Sequence, residues 1–227
     1  IVFGGVIHNK SNNSSDNYLK KNIFKFKFIE LFKLFFKKKK NEILSLFFTS
    51  GFKNNFFSVR SVFKKKKINF IDIKDNINDT KYLQSFKKYK PDLIISSNPQ
   101  YFKEELIKLP KYGCINRHFS LLPKYKGLWP VFYSISNCDQ SCGITIHKIN
   151  EKYDEGKILA QKKIEITEKN ISRIYLKLFN LTPNIISEAI DNLNNDKSVE
   201  SDYESSYNSF PTAKDWELFR KNNGVFI

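Results

Sequence analysis

Several things are missing from this sequence of 227 residues, and each absence excludes something. No run of about 18 or more uncharged apolar residues occurs, so no membrane-spanning helix is expected. The stretch from Ile23 to Phe36 is interrupted by Lys25, Lys27, Glu30 and Lys33, and it lacks the small-residue cleavage site of a secretory leader. Cys114, Cys138 and Cys142 are odd in number and make no zinc-like pair of pairs, which points to a reducing, cytoplasmic compartment and to no metal. No internal repeat is present. Methionine is absent, and the chain opens on Ile1 within a strand-like run. A bulky second residue normally leaves the initiator Met in place, so the sequence is expected to be N-terminally incomplete. Acidic residues are also short, 23 against 39 Lys and Arg, giving a net charge of +16. Lys, Asn, Ile and Phe all have AT-rich codons, so coding bias or a solvated face is the first reading, and an anionic partner the second.

What is present suffices for one large domain with a short appendage: 41% apolar residues, 22 of them Phe. Ile1 to His8 reads as a strand followed by a polar loop, and Tyr18 to Lys40 as a helix ending in KKKK, where lysines complement the macrodipole. Ile43 to Phe57 is ambiguous between helix and loop. Ser58 caps a short helix to Lys67, and Ile68 to Ile73 is a strand. Asp79 opens a helix to Tyr89, and Asp92 to Ser96 is a buried-type strand. A helix from Tyr101 to Leu109, a strand from Gly113 to Asn116 and a helix from Trp129 to Ser136 follow. Two further strands, GITIHKI and GKILAQKKIEI, precede a long helix from Ile171 to about Leu193 with a kink expected at Pro183.

This alternation predicts an α/β, Rossmann-like open sheet with mostly parallel strands and flanking helices. Residues 1–195 form the expected catalytic domain, and residues 196–227 a C-terminal extension packing on it, with a last helix from Ala213 to Lys221. Ligands of such sheets sit at the carboxyl ends of the strands, which directs attention to INRHFSLLPKYKG, Ile115 to Gly127. Asn116 and His118 are two apart, so an extended backbone points both to one face. An amide beside an imidazole can hold charge developing on a carbonyl oxygen, and His is suited to proton transfer near neutral pH. Asp154, in a loop ending at Gly156, is the candidate carboxylate partner. Pro123 and Gly127 supply a fixed turn and a permissive one. On residue types alone, a lone His after a strand such as His118 is more often structural or merely exposed, and an Asp before Gly such as Asp154 is usually a turn residue.

GCINRHFSLLPKYKGLWPVFYSI followed by CGITIHKINEKYDEGKILAQ resembles the folate-dependent formyltransferase family, over about Pro91 to Ile166. Its hallmark is Asn-x-His-x-Ser-Leu-Leu-Pro-x-x-x-Gly, then an Asp in a Gly-bearing loop. The resemblance implies that Asn116, His118 and Asp154 are catalytic and that 10-formyltetrahydrofolate is the formyl donor. It also implies that Ser97, Asn98, Ser120, Leu121, Leu122, Pro123, Asn150 and Tyr153 line the folate pocket. Arg117 and Phe119 occupy positions where small residues are common, Glu155 stands where Thr is common, and Lys157 replaces a common acidic residue. The family fold opens with a strand and helix that are not found before Ile1, so the sheet is expected to lack its first strand.

The expected acceptor is a small-molecule primary amine, a nucleotide-linked amino sugar, with no stable nucleic-acid partner and a homodimer left open. Tyr207, Phe210 and Trp216 are candidates either to pack on a nucleotide base or to anchor the tail. Methionyl-tRNA, glycinamide ribonucleotide and water (formyltetrahydrofolate hydrolysis) are the alternative acceptors. A non-enzymatic alternative rests on the Lys-rich segments FKFKFIELFKLFFKKKK and VFKKKK, which suit an anionic membrane or nucleic acid.

Overall fold

The computed structural model of the chain describes residues 4–8, 17–18, 20–47, 56, 58–97 and 100–227. It divides into two compact units, Ile1–Tyr89 and Lys90–Ile227. In the first, strand β1 (Gly5–His8) pairs in parallel with β2 (Phe70–Ile73). Helix α1 spans Phe28–Phe47, and the short helix α2 (Val59–Lys65) follows. Ser58 caps α2 as the sequence suggests: its hydroxyl accepts from Ser61 N–H while Ser61 Oγ accepts from Ser58 N–H. Arg60 of α2 then reaches Asp72 of β2 with two hydrogen bonds of 2.8 and 2.6 Å, a bidentate pair that fixes helix to strand. Helix α3 (Thr80–Tyr89) buries Tyr82, Leu83 and Phe86 on one stripe and ends on Lys87 and Lys88.

The helix expected over Tyr18 to Lys40 is displaced. A short 3-10 turn occupies Ile23–Lys25, and α1 starts at Phe28 and continues through KKKK to Phe47. Lysine is a good helix former, and neither Gly nor Pro follows it before Phe47, so nothing stops the helix at the lysines. The ambiguous start at Ile43 thus resolves to helix as far as Phe47. Residues 48–55 lie outside the described residues.

In the second unit, a four-stranded sheet has the order β3-β4-β6-β7: β3 (Ile94–Ser96), β4 (Cys114–His118), β6 (Ser141–Lys148) and β7 (Ile158–Glu165). The β3–β4 pairing is parallel, whereas β4–β6 and β6–β7 are antiparallel. A small parallel pair joins β5 (Lys126–Gly127) to β8 (Tyr207–Asn208). Among the described residues, three of five strand pairings are therefore parallel. Helix α4 is a single turn (Glu104–Ile107), shorter than the sequence suggests. Helix α5 runs over Pro130–Ser136, with Pro130 at its first position as helix starts favour.

Helix α6 (Ile171–Asn194) continues through Pro183, burying Ile174, Leu178, Ile185 and Ala189. Asn170 caps it by accepting from Arg173 N–H at 3.1 Å. The last helix, α7 (Ala213–Lys221), carries a Thr212–Asp215 capping box and buries Trp216 and Phe219. The Phe219 ring stacks on Phe132 of α5 at 4.5 Å, with Trp216 edge-on at 5.0 Å. The tail is thus part of the core of this unit, and Trp216, 2% exposed, is an anchor unavailable to a ligand. Phe210 packs against Trp129, while Tyr207 stays largely exposed.

Candidate active site

Strand alternation sends Asn116 and His118 to one face of β4, while Ile115 and Arg117 leave on the other. The antiparallel register then sets His147 opposite Asn116 and Thr145 opposite His118. Asp154 enters from the loop between β6 and β7, in a left-handed backbone conformation with φ of 53°. Its Oδ1 lies 3.5 Å from Asn116 Nδ2 and 3.4 Å from His147 Nε2. Its Oδ2 lies 3.6 Å from His118 Nδ1 and accepts a hydrogen bond from Gly127 N–H at 2.8 Å. Asp154, distant in sequence, therefore joins Asn116 and His118 at the carboxyl end of β4.

Each imidazole has its tautomer set by a backbone carbonyl, which can only accept. His118 donates Nε2–H to Tyr125 O at 2.8 Å, leaving Nδ1 to face Asp154. His147 donates Nδ1–H to Lys148 O at 2.9 Å, leaving Nε2 to accept from Asn116 Nδ2 at 3.3 Å. Burial lowers the pKa of His118 below its ordinary 6.5, against the opposing pull of Asp154 and Tyr125 O. Burial would raise Asp154, but His147, His118 and the Gly127 N–H together hold its carboxyl at about 2. At neutral pH the site is thus a neutral imidazole facing a carboxylate. Both Nδ1 and Oδ2 are acceptors, so the pair is ready to take a proton from a donor placed against it.

The turn SLLP is held by residues that sequence reasoning missed. Thr145 Oγ1 donates to Ser120 O at 2.7 Å and accepts from Leu122 N–H and Gln161 Nε2. Gln161 also donates to Leu122 O, as does Ser201 Oγ from the tail at 2.6 Å. Ser206 adds a backbone bond to Pro123 O, and its hydroxyl accepts from Tyr125 N–H. Gly127 must be glycine: its φ is +91°, and a Cβ would lie 2.2 Å from Asn208 O of the adjoining β8. His147 also escaped the sequence reading, because only its antiparallel pairing with the motif strand brings it to the site.

A cavity of about 410 Å³, within the range of small-molecule pockets, is walled by Leu122, Pro123, Lys126, Asp154, Glu155 and Ser201, among others. Of the residues expected to bind folate, Leu122 and Pro123 meet Asp154 there, while Ser120 and Leu121 are buried behind the turn. Asn150 and Tyr153 are exposed on the Asp154 loop. The Tyr153 ring packs on Tyr101, whose hydroxyl donates to Glu151 O, tying this loop to the chain after β3. Ser97 accepts from Arg117 on the opposite face of β4, and Asn98 lies outside the described residues. Arg117 lies between the rings of Phe119 and Phe179, 4.6 Å from each centroid. Cys114 and Cys142 are buried, which pushes both thiols up to about 12 and keeps them out of nucleophilic chemistry.

A family model described as formyl transferase matches residues 51–190. The chain belongs to the formyl transferase family. It is 35% identical, over 68% of its length, to the bifunctional polymyxin resistance protein ArnA of Wigglesworthia glossinidia brevipalpis, covering 24% of that protein. It is 37% identical over 60% of its length to methionyl-tRNA formyltransferase of Ehrlichia ruminantium, covering 42% of it. The chain thus spans less than half the length of either relative. Among solved structures, the formyltransferase PseJ of Anoxybacillus kamchatkensis shares the fold, with a TM-score of 0.53 and 23% identity. That likeness covers 72% of this chain and 84% of PseJ, which was crystallised with UDP-4,6-dideoxy-4-formamido-L-AltNAc and tetrahydrofolate. Within the formyl transferase family the fold is accordingly Rossmann-like, as the sequence suggests.

Proposed function

We propose that this chain transfers a formyl group from 10-formyltetrahydrofolate to a primary amine on a nucleotide-linked sugar. The observation that carries the reading is the approach of Asn116 and His118 to Asp154, within 3.6 Å, beside the cavity walled by Leu122 and Pro123.

The donor supplies a formyl carbon activated on N10. Asn116 offers an amide N–H to the oxygen on which negative charge develops as the amine attacks. Its two N–H groups face His147 Nε2 at 3.3 Å and Asp154 Oδ1 at 3.5 Å, so the longer contact to Asp154 is given up when that oxygen arrives. His118 Nδ1 and Asp154 Oδ2 together receive the proton that the amine loses as its nitrogen bonds to carbon. The same proton returns to the departing N10, so tetrahydrofolate leaves neutral. The Gly127 N–H, donating to Oδ2 at 2.8 Å, supports the Asp154 carboxylate throughout.

A second acceptor, methionyl-tRNA, is favoured by the 37% identity to methionyl-tRNA formyltransferase. The sugar reading is supported by the tail, residues 196–227, which we take as an extension of the catalytic domain. It closes on SLLP through Ser201 and Ser206 and presents the exposed Tyr207 beside Gly127. The test is incubation of the chain with 10-formyltetrahydrofolate and, separately, UDP- and dTDP-linked amino sugars, charged methionyl-tRNA, or no acceptor. Tetrahydrofolate release only with a sugar nucleotide is expected. Release with tRNA alone transfers the assignment to tRNA, and rapid formate release without any amine makes the protein a hydrolase.

A further inference from the structure

Helix α1 presents an apolar surface that the proposed chemistry leaves unused. Phe28, Ile29, Phe32, Phe35, Phe36, Ile43 and Phe47 are all exposed, Phe28 at 83% and Phe47 at 76%. At 3.6 residues per turn these seven positions fall on one arc of about 120°. Glu30, buried, and Leu34, Asn41 and Leu44, half-buried, lie on the other side. The outward face is therefore not the helix's packing stripe but a second apolar face opposite it. From Phe28 to Phe36 the arc is continuous, with Phe28, Phe32 and Phe36 packed ring to ring at 6.4 and 4.3 Å. Farther on, Lys39 falls within it and pairs with Glu42 at 3.1 Å.

The borders are mainly basic, with the exposed Glu42 between Phe35 and Lys38 on one edge. Lys33 and Lys40 flank one edge and Lys38 the other, with Lys37 behind, and all are exposed. The turn before α1 repeats the pattern: Phe24 is 72% exposed, and Lys25 Nζ lies over its ring at 5.1 Å. Aromatic rings on one face with lysines along the margins suit an anionic lipid surface. There the rings enter the acyl boundary while the lysine stems extend toward phosphate. Nucleic acid would draw on the lysines but leave seven apolar side chains in water. No helix among the described residues is long and apolar enough to cross a membrane, so the contact would be one of lying on the surface.

We propose that α1 is an interfacial helix docking this enzyme on an anionic bilayer surface. The test is flotation of the full chain with vesicles of phosphatidylcholine alone or mixed with phosphatidylglycerol. Binding is expected only to the anionic vesicles at low salt, weakening as salt rises. The variant Phe32→Ser, Phe35→Ser, Phe36→Ser should bind about tenfold or more weakly. Lys37→Gln, Lys38→Gln, Lys40→Gln should lose the preference for anionic lipid. All six substitutions are at exposed positions, and an unchanged circular-dichroism spectrum and thermal melt verify the fold of each variant independently of lipid. Absence of flotation with anionic vesicles at low salt overturns the proposal. So does flotation unaffected by the Phe substitutions, since lysines alone would then explain it. Phe-dependent self-association that vesicles do not displace, or RNA binding that outcompetes vesicles, also overturns it by assigning the face to another partner.

Discussion

The segment from β4 to β5 and helix α1 both mix Lys with aromatic and aliphatic residues, yet they use these residues in opposite ways. From Cys114 to Gly127 the apolar side chains Ile115, Leu121 and Leu122 are buried, and the polar groups between them are bonded inward to β6, to Asp154 and to the tail. In α1 the polar Glu30 is buried and the rings of Phe28, Phe32 and Phe35 are outside. The first arrangement preorganises chemistry; the second presents a surface. That mixture alone does not distinguish them, because the difference lies in which long-range partners each segment meets.

The largest way to break the comparison is to remove the pair proposed to handle the proton. Asp154→Ala and His118→Ala are each expected to lower kcat for formyl transfer by about 10²–10⁴, the usual contribution of acid–base and charge-stabilising groups. Tetrahydrofolate release under saturating acceptor measures it, and near-full activity in either variant sinks the mechanism. His147→Ala, which removes only a neighbour of Asp154, should cost less than either.

The same pair predicts a pH profile with a definite sign. Burial holds His118 below 6.5, so the acidic limb of kcat should lie below that pH as Nδ1 becomes protonated. Asp154 opposes the lowering, so in Asp154→Asn the His118 pKa, followed by NMR of the ring protons, should fall further still. Stability follows the same direction. A His whose folded pKa is depressed contributes fully above 6.5 and progressively less as pH drops below it. Asp154, depressed from 3.8 to about 2, contributes above about pH 4 and loses that contribution as pH approaches 2. Acid should therefore weaken the second unit, and thermal melts between neutral pH and pH 2 check it.

Much of the site was legible because it is local. The two-residue spacing of Asn116 and His118 sets their shared face through strand geometry, and Pro123 and Gly127 mark the turn. Asp154 needed the family pattern, since an Asp before a glycine loop reads as a turn residue by itself. His147, Thr145 and Gln161 were not legible, since their roles depend on the antiparallel register of β4, β6 and β7, and the alternating pattern suggested parallel strands. Ser201 and Ser206 were hidden for a similar reason: a polar tail gives no periodic signal of where it returns. The boundaries of α1 were misjudged because four lysines can end a helix electrostatically yet also continue one by propensity.

Gly127→Ala sharpens how far the tail belongs to the site. The added methyl would meet Asn208 O at 2.2 Å in a backbone of positive φ, so β8 must move away. A loss of about 1–3 kcal/mol in chemical denaturation is expected, together with lower activity because Gly127 N–H also holds Asp154. Unchanged stability would mean that β8 yields freely and is not part of the rigid site.

The smallest expected effect concerns Arg117, which sits between two catalytic candidates in sequence but faces away from both. Its guanidinium is clamped by Phe119 and Phe179 and donates to Ser97 at the end of β3. No carboxylate pairs with it among the described residues, and its Nε is buried without an acceptor. Such a group contributes by holding the chain after β3 against β4, not by touching reacting atoms. Arg117→Ala should raise KM for the formyl donor by about three- to tenfold with kcat within about twofold. Arg117→Lys should restore little, because an ammonium cannot fill the flat space between two rings while also reaching Ser97. An equal fall in kcat and kcat/KM would instead place Arg117 in the transition state, and then the two faces of β4 would not be functionally separate.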